Sequence, residues 1–148
     1  MPATSIHDTI QVGPVTVRYH LDAAQTNGYF TMFEFSVPSK ARVPVPHSHE
    51  AFDETVYGLA GVTTWTLDGK PIAVSPGESL FIRRGVVHQF ENWGEAEARS
   101  LSVITPGLLG PAYFQEIATV LNAPGPPNIP AIMAVMQRHG LRPAPPAA

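Results

Sequence analysis

The chain contains no cysteine, which excludes disulfide frameworks, thiolate metal sites and cysteine nucleophiles. Charge is also scarce. Only 14% of the 148 residues are Asp, Glu, Lys or Arg, and nine basic against twelve acidic side chains leave a formal charge of −3. An average domain carries about 25% charged residues. Thin charge beside an ordinary 44% hydrophobic share points to a folded chain rather than a disordered one, with part of its surface covered by another subunit. The basic footprint of a nucleic-acid binder is missing. No run approaches the ~18 apolar residues of a membrane span, and Met1–Gln11 lacks the apolar stretch of a signal peptide. These absences predict a soluble cytoplasmic protein with no membrane and no nucleic-acid partner. The length fits one domain of ~100–200 residues.

Sixteen prolines and twelve glycines punctuate the sequence. Between them lie short segments rich in β-branched and aromatic residues: 15–21, 29–37, 55–59, 63–67, 72–74, 80–82, 87–91 and 98–104. Such spacing predicts an all-β fold. Asn27-Gly28, Asp68-Gly69 and Pro76-Gly77 mark tight reversals, and Asp68-Gly69 predicts a hairpin. In 29–37 both alternating faces are largely apolar, as in a strand covered on two sides. After Pro106 the period changes. Phe114, Ile117, Ala118 and Leu121, then Ile132, Val135 and Met136, fall at helical offsets. The chain thus divides into a β-region at 1–106 and a helical tail at 107–148 packed on it within one domain, with a frayed end over 142–148.

Three of six histidines stand in an arrangement of metal-ligand character: His47-Ser-His49, then Glu54, then His88. Histidines at i and i+2 on an extended segment project to one side. Glu54 follows after room for a short bend, and His88 arrives from a neighbouring strand. Three neutral imidazoles and a carboxylate suit one divalent transition metal with open coordination positions, and Fe, Ni, Cu, Co, Mn and Zn all accept such donors. The plain alternative for a lone His-x-His is surface decoration or a hydrogen-bonded core pair. His7, His20 and His139 have no partner at suggestive spacing.

Residues 41–61 resemble the first motif of the cupin superfamily: Gly, five residues, His-x-His, three or four residues, Glu, six residues, Gly. Here His47, His49, Glu54 and Gly61 match, and Ala41 replaces the leading glycine. Residues 77–92 resemble the second motif, Gly, five residues, Pro-x-Gly, two residues, His, three residues, Asn. Gly77, Gly85, His88 and Asn92 match, and Arg83 replaces the proline. Both departures fall on turns. The resemblance extends over about 15–105. It implies a cupin jelly-roll barrel (a double-stranded β-helix) with a short C-terminal helical tail, the metal inside, and a homodimer.

Alternation predicts that Phe90 lies on the side of His88, that Val56, Gly58 and Ala60 lie on the side of Glu54, and that Phe30 and Met32 share a face. With Phe114, the residues Phe30, Met32, Val56 and Phe90 form the expected substrate pocket. Small Gly58 and Ala60 either leave room for substrate or pack tightly. Asn92 is expected to organise a turn, and Arg83 and Arg84 to be solvated. The tail either closes the open end of the barrel or packs on its outer wall. In the second case, removing everything after Pro106 leaves metal content intact. Single-domain bacterial cupins similar to quercetin 2,3-dioxygenases imply a metal-dependent oxygenase acting on a flavonol- or diketone-like small molecule, with Glu54 as general base. The alternatives are a redox-neutral isomerase, cyclase or decarboxylase, and a non-catalytic small-molecule-binding module.

Overall fold

The computed structural model describes residues 8–42 and 45–144, together with Ala3 and Ile6. His7 and the last four residues, for which the sequence suggested an ordinary role and fraying, lie outside the described residues. The strands are β1 (Thr9–Val12), β2 (Val15–Leu21), β3 (Thr31–Val37), β4 (His47–His49), β5 (Asp53–Ala60), β6 (Thr63–Leu67), β7 (Lys70–Val74), β8 (Ser79–Ile82), β9 (His88–Glu91), β10 (Ala98–Thr105) and β11 (Leu141–Pro143). The helices are α1 (Ala23–Thr26), α2 (Pro111–Leu121) and α3 (Ile129–Arg138).

Every strand pair is antiparallel, in two sheets ordered β1-β2-β3-β10-β5-β8 and β11-β4-β9-β6-β7. Period-two alternation makes them. On β3 the buried side is Thr31, Phe33, Phe35 and Val37. On β10 it is Ala98, Ser100, Ser102 and Ile104. The β6–β7 hairpin turns on Asp68 and Gly69, whose φ values of 46° and 83° place both central residues in the left-handed region that the tightest hairpins need. Tyr19, Phe33, Phe35, Phe90, Phe114 and Trp65 form a continuous aromatic core, with successive ring centroids 4.6–5.3 Å apart.

Two expectations are corrected. The sheets do not close into a barrel: β1 and β8 remain edges of one sheet, β11 and β7 of the other. Nor is the C-terminal region a short tail, since it consists of helices of 11 and 10 residues followed by a strand. The physical reason is its apolar content. Tyr113, Phe114, Ile117 and Ala118 on α2 and Ile132, Val135 and Met136 on α3 are buried in the same core as the strands, so the helices complete what the open sheets leave uncovered. Beyond α3, Gly140 (φ 81°) turns the chain. Leu141, 2% exposed, then anchors β11 beside β4, where fraying was expected.

Candidate metal centre

Strand β4 presents the His-x-His pair. Its partner β9 begins at His88, and His47 lies directly across from His88 in the register. The three rings meet with centroids 4.6–5.2 Å apart, and one nitrogen from each lies within 4.8 Å of the others. Two rings are oriented from behind. Nδ1 of His47 donates to the Val45 carbonyl (3.0 Å) and Nδ1 of His88 to the Val86 carbonyl (2.9 Å). A carbonyl only accepts, so the proton sits on Nδ1 and the Nε2 lone pair is left free. The ring of His49 stacks on Phe52, with centroids 4.5 Å apart and planes at 28°.

Glu54 on β5 stands beside the trio. Its Oε1 is 3.6 Å from Nε2 of His88 and 4.0 Å from Nε2 of His49, while Oε2 accepts a 2.8 Å hydrogen bond from the Ser102 hydroxyl on β10. One carboxylate oxygen is therefore held and the other faces the imidazoles. Burial, reinforced by neighbouring imidazoles, pushes His47 well below the ordinary histidine range. Burial and then the imidazole of His88 push His49 down to about 3. Neutral imidazole is the ligand form.

This donor set fits a divalent metal. Nε2 of His88 is buried with no hydrogen-bond partner among the described residues, and such a buried polar atom costs about 1–3 kcal/mol unless something satisfies it. A cation shared with the other two rings supplies what the protein does not.

The loop before β9 is bolted to the other ligand strands. The backbone N–H of Gly85 donates to the His49 carbonyl (2.9 Å). The backbone and guanidinium of Arg84 both donate to Asp53, at 2.8–3.2 Å. Arg84 is exposed, as expected, and from the surface it ties the approach to His88 to the residue beside Glu54. Asn92 organises a turn: its amide donates to the carbonyls of Val37 and Ala96 and its oxygen accepts from Gly94 N–H.

The histidine–glutamate cluster opens on a cavity of about 80 Å³. Phe90 and Phe114 line it, whereas Phe30, Met32 and Val56 do not. Both faces of 29–37 are apolar in sequence, so its parity was ambiguous; the residues that point inward are Phe33 and Phe35. Met32 lies on the outer side, opposite Val103, and Phe30 precedes the strand. Val56 faces inward but is fully buried away from the cavity. Gly58 leaves no room for substrate, because an added Cβ would stand 2.2 Å from the Ser75 carbonyl oxygen. Its smallness is tight packing.

The helices do not simply lie on an outer wall. Tyr113, Phe114, Ile117 and Leu121 of α2 and Ile132 and Met136 of α3 line the cavity and close it. Trp65 is 1% exposed, lines the cavity and pairs with Phe90 across β6–β9. Phe52 was missed altogether; only its position three residues after His49 hints at it.

Comparison with known proteins agrees with this geometry. Residues 33–104 match the family described as the cupin domain. The chain is 32% identical over 97 residues to "Quercetin 2,3-dioxygenase" of Bacillus subtilis, a match covering 64% of this chain but only 28% of that protein. KdgF from Halomonas superposes with a TM-score of 0.61 at 18% identity, over 72% of this chain and 94% of that one. A predicted oxalate decarboxylase from Thermotoga maritima gives 0.60 at 25% identity, over 70% and 94%. The two-sheet fold, the His47/His49/Glu54/His88 arrangement and the matched segment are together similar to those of the cupin superfamily.

Proposed function

We propose that the chain is a metal-dependent enzyme performing redox-neutral proton chemistry on a small, oxygen-bearing, mostly apolar substrate. The observation carrying this reading is the placement of Glu54: one oxygen held by Ser102, the other aimed at the histidine trio inside an apolar cavity. His47, His49 and His88 would hold a divalent metal, which supplies Lewis acidity and lowers the pKa of a ligated substrate hydroxyl or of a C–H beside a ligated carbonyl. Oε1 of Glu54 is placed to receive that proton and to return it elsewhere, the exchange that isomerisation or cyclisation requires. The aromatic walls exclude water, so the carboxylate works without competing hydration. Likeness to a predicted oxalate decarboxylase supports non-oxidative use of such a site. Among the described residues, however, no Lys or Arg lines this cavity, and a small dianion would leave uncompensated charge in it.

A second reading, oxygenation, draws support from the partial match to the quercetin dioxygenase. One experiment separates them. Protein loaded with each of iron, nickel, cobalt, manganese and zinc is given enolisable ketones and diketones, with substrate loss and oxygen uptake followed together. Turnover without oxygen uptake is expected. Stoichiometric uptake would establish the oxygenase instead, and saturable binding without product a non-catalytic binder. Metal content measured beside His49→Ala should fall at least tenfold in the variant, and equal content would refute the site itself.

A further inference from the structure

Tyr113, on the first turn of α2, is 6% exposed and lines the metal cavity. Its hydroxyl makes no hydrogen bond to any described residue. The neighbouring buried phenol is committed: Tyr19 donates to the Leu109 carbonyl at 2.7 Å. The Thr31 hydroxyl donates to the same carbonyl at 2.9 Å. Two buried donors thus fix the chain four residues before Tyr113, so its side chain stands on a rigid mount. The hydroxyl of this largely buried phenol, with no protein partner, keeps its donor free for a ligand or water. Burial also raises the phenol's pKa, so it stays a donor across the neutral range. The remaining polar groups around the cavity are accounted for. The three histidines and Glu54 form the metal cluster, and the Trp65 N–H donates to the Thr63 hydroxyl at 3.0 Å.

We propose that Tyr113 is a specificity residue and that the cavity takes a small molecule with two polar ends. One end is an oxygen chelate for the metal, the other a neutral hydrogen-bond acceptor for the Tyr113 hydroxyl, and an uncharged apolar body joins them. The inference rests on the metal-dependent reading above. It adds the second recognition point, on the helical cap rather than on the strands. A site built around a hydrogen bond discriminates strongly against an analogue lacking the matching group.

The test uses two probes with the same chelate, pentane-2,4-dione and 1-hydroxypentane-2,4-dione, titrated into cobalt-loaded protein and read by calorimetry and the cobalt visible spectrum. Wild type should favour the hydroxylated probe by about tenfold, the equivalent of one hydrogen bond. Tyr113→Phe should lose that preference while binding pentane-2,4-dione unchanged and retaining its cobalt. Ser100→Ala, which loses a different buried hydroxyl that does not line the cavity, should keep the preference, which separates specificity from folding. No preference in wild type, or a preference surviving in Tyr113→Phe, overturns the assignment of Tyr113 and leaves the metal reading standing. Wild type that retains no cobalt overturns both.

Discussion

Two serines on one strand make opposite predictions. Ser102 and Ser100 both face inward from β10 and are fully buried, but only Ser102 has a partner, Glu54; the Ser100 hydroxyl has none among the described residues. Ser102→Ala frees Oε2 of Glu54 and should weaken metal binding about 10–100-fold, the usual cost of losing a group that orients a ligand. Competitive chelator titration measures it. Ser100→Ala removes an unsatisfied buried group, so its unfolding midpoint in denaturant should be unchanged or higher. A loss above ~1 kcal/mol would mean that a buried water serves that hydroxyl. Gly58→Ala is the severe change at this scale. The added methyl meets a backbone carbonyl that cannot swing aside, and a cost of about 2–4 kcal/mol is expected, though the residue does not line the cavity.

At the scale of elements, the decisive pairing is β11 with β4. Leu141, Arg142 and Pro143 lie opposite His49, Ser48 and His47. Arg142 bonds Glu50 at 2.6 Å, and the Ala144 N–H donates to Pro46. On its other side β4 meets β9 at the single His47–His88 pair. Truncation after Gly140 should therefore lower metal retention severalfold, measured by dialysis against chelator, and truncation after Pro106 should lower it further. This reverses the expectation drawn from a tail on the outer wall. The histidine–glutamate arrangement, the β6–β7 hairpin and the two helical stripes were legible in the sequence because each rests on local spacing: i, i+2 histidines, a two-residue turn, offsets of three and four. What escaped was non-local. Three residues before a proline-rich end carry no strand signal of their own, and β11 exists only because β4 offers it an unpaired edge. The parity of β3 escaped for another reason, since a strand apolar on both faces does not say which one meets the cavity. Closure failed likewise, because nothing in the strand pattern says whether a sheet edge is met by another strand or by a helix.

For the molecule as a whole, the buried imidazoles link stability to acidity. In the folded, metal-free protein His47 and His49 stay neutral well below the ordinary histidine pKa, whereas the unfolded chain takes up their protons below about pH 6.5. The unfolded state then binds more protons, so stability falls as pH drops from about 6.5 toward 3 and is insensitive to these groups above that window. Thermal midpoints of metal-free protein between pH 8 and 5 should be flat and then decline, and the decline should be shallower in His49→Gln. An unaltered slope would contradict the neutral assignment. Among the described residues no helix is long and apolar enough to cross a membrane. The β4–β11 pairing also has a temporal side. Glu50 and Arg142 are 92 residues apart, so on the ribosome the histidine strand emerges long before the neighbour that braces it. A cation captured before β11 has emerged meets an unfinished cradle, and stable loading follows the arrival of that strand.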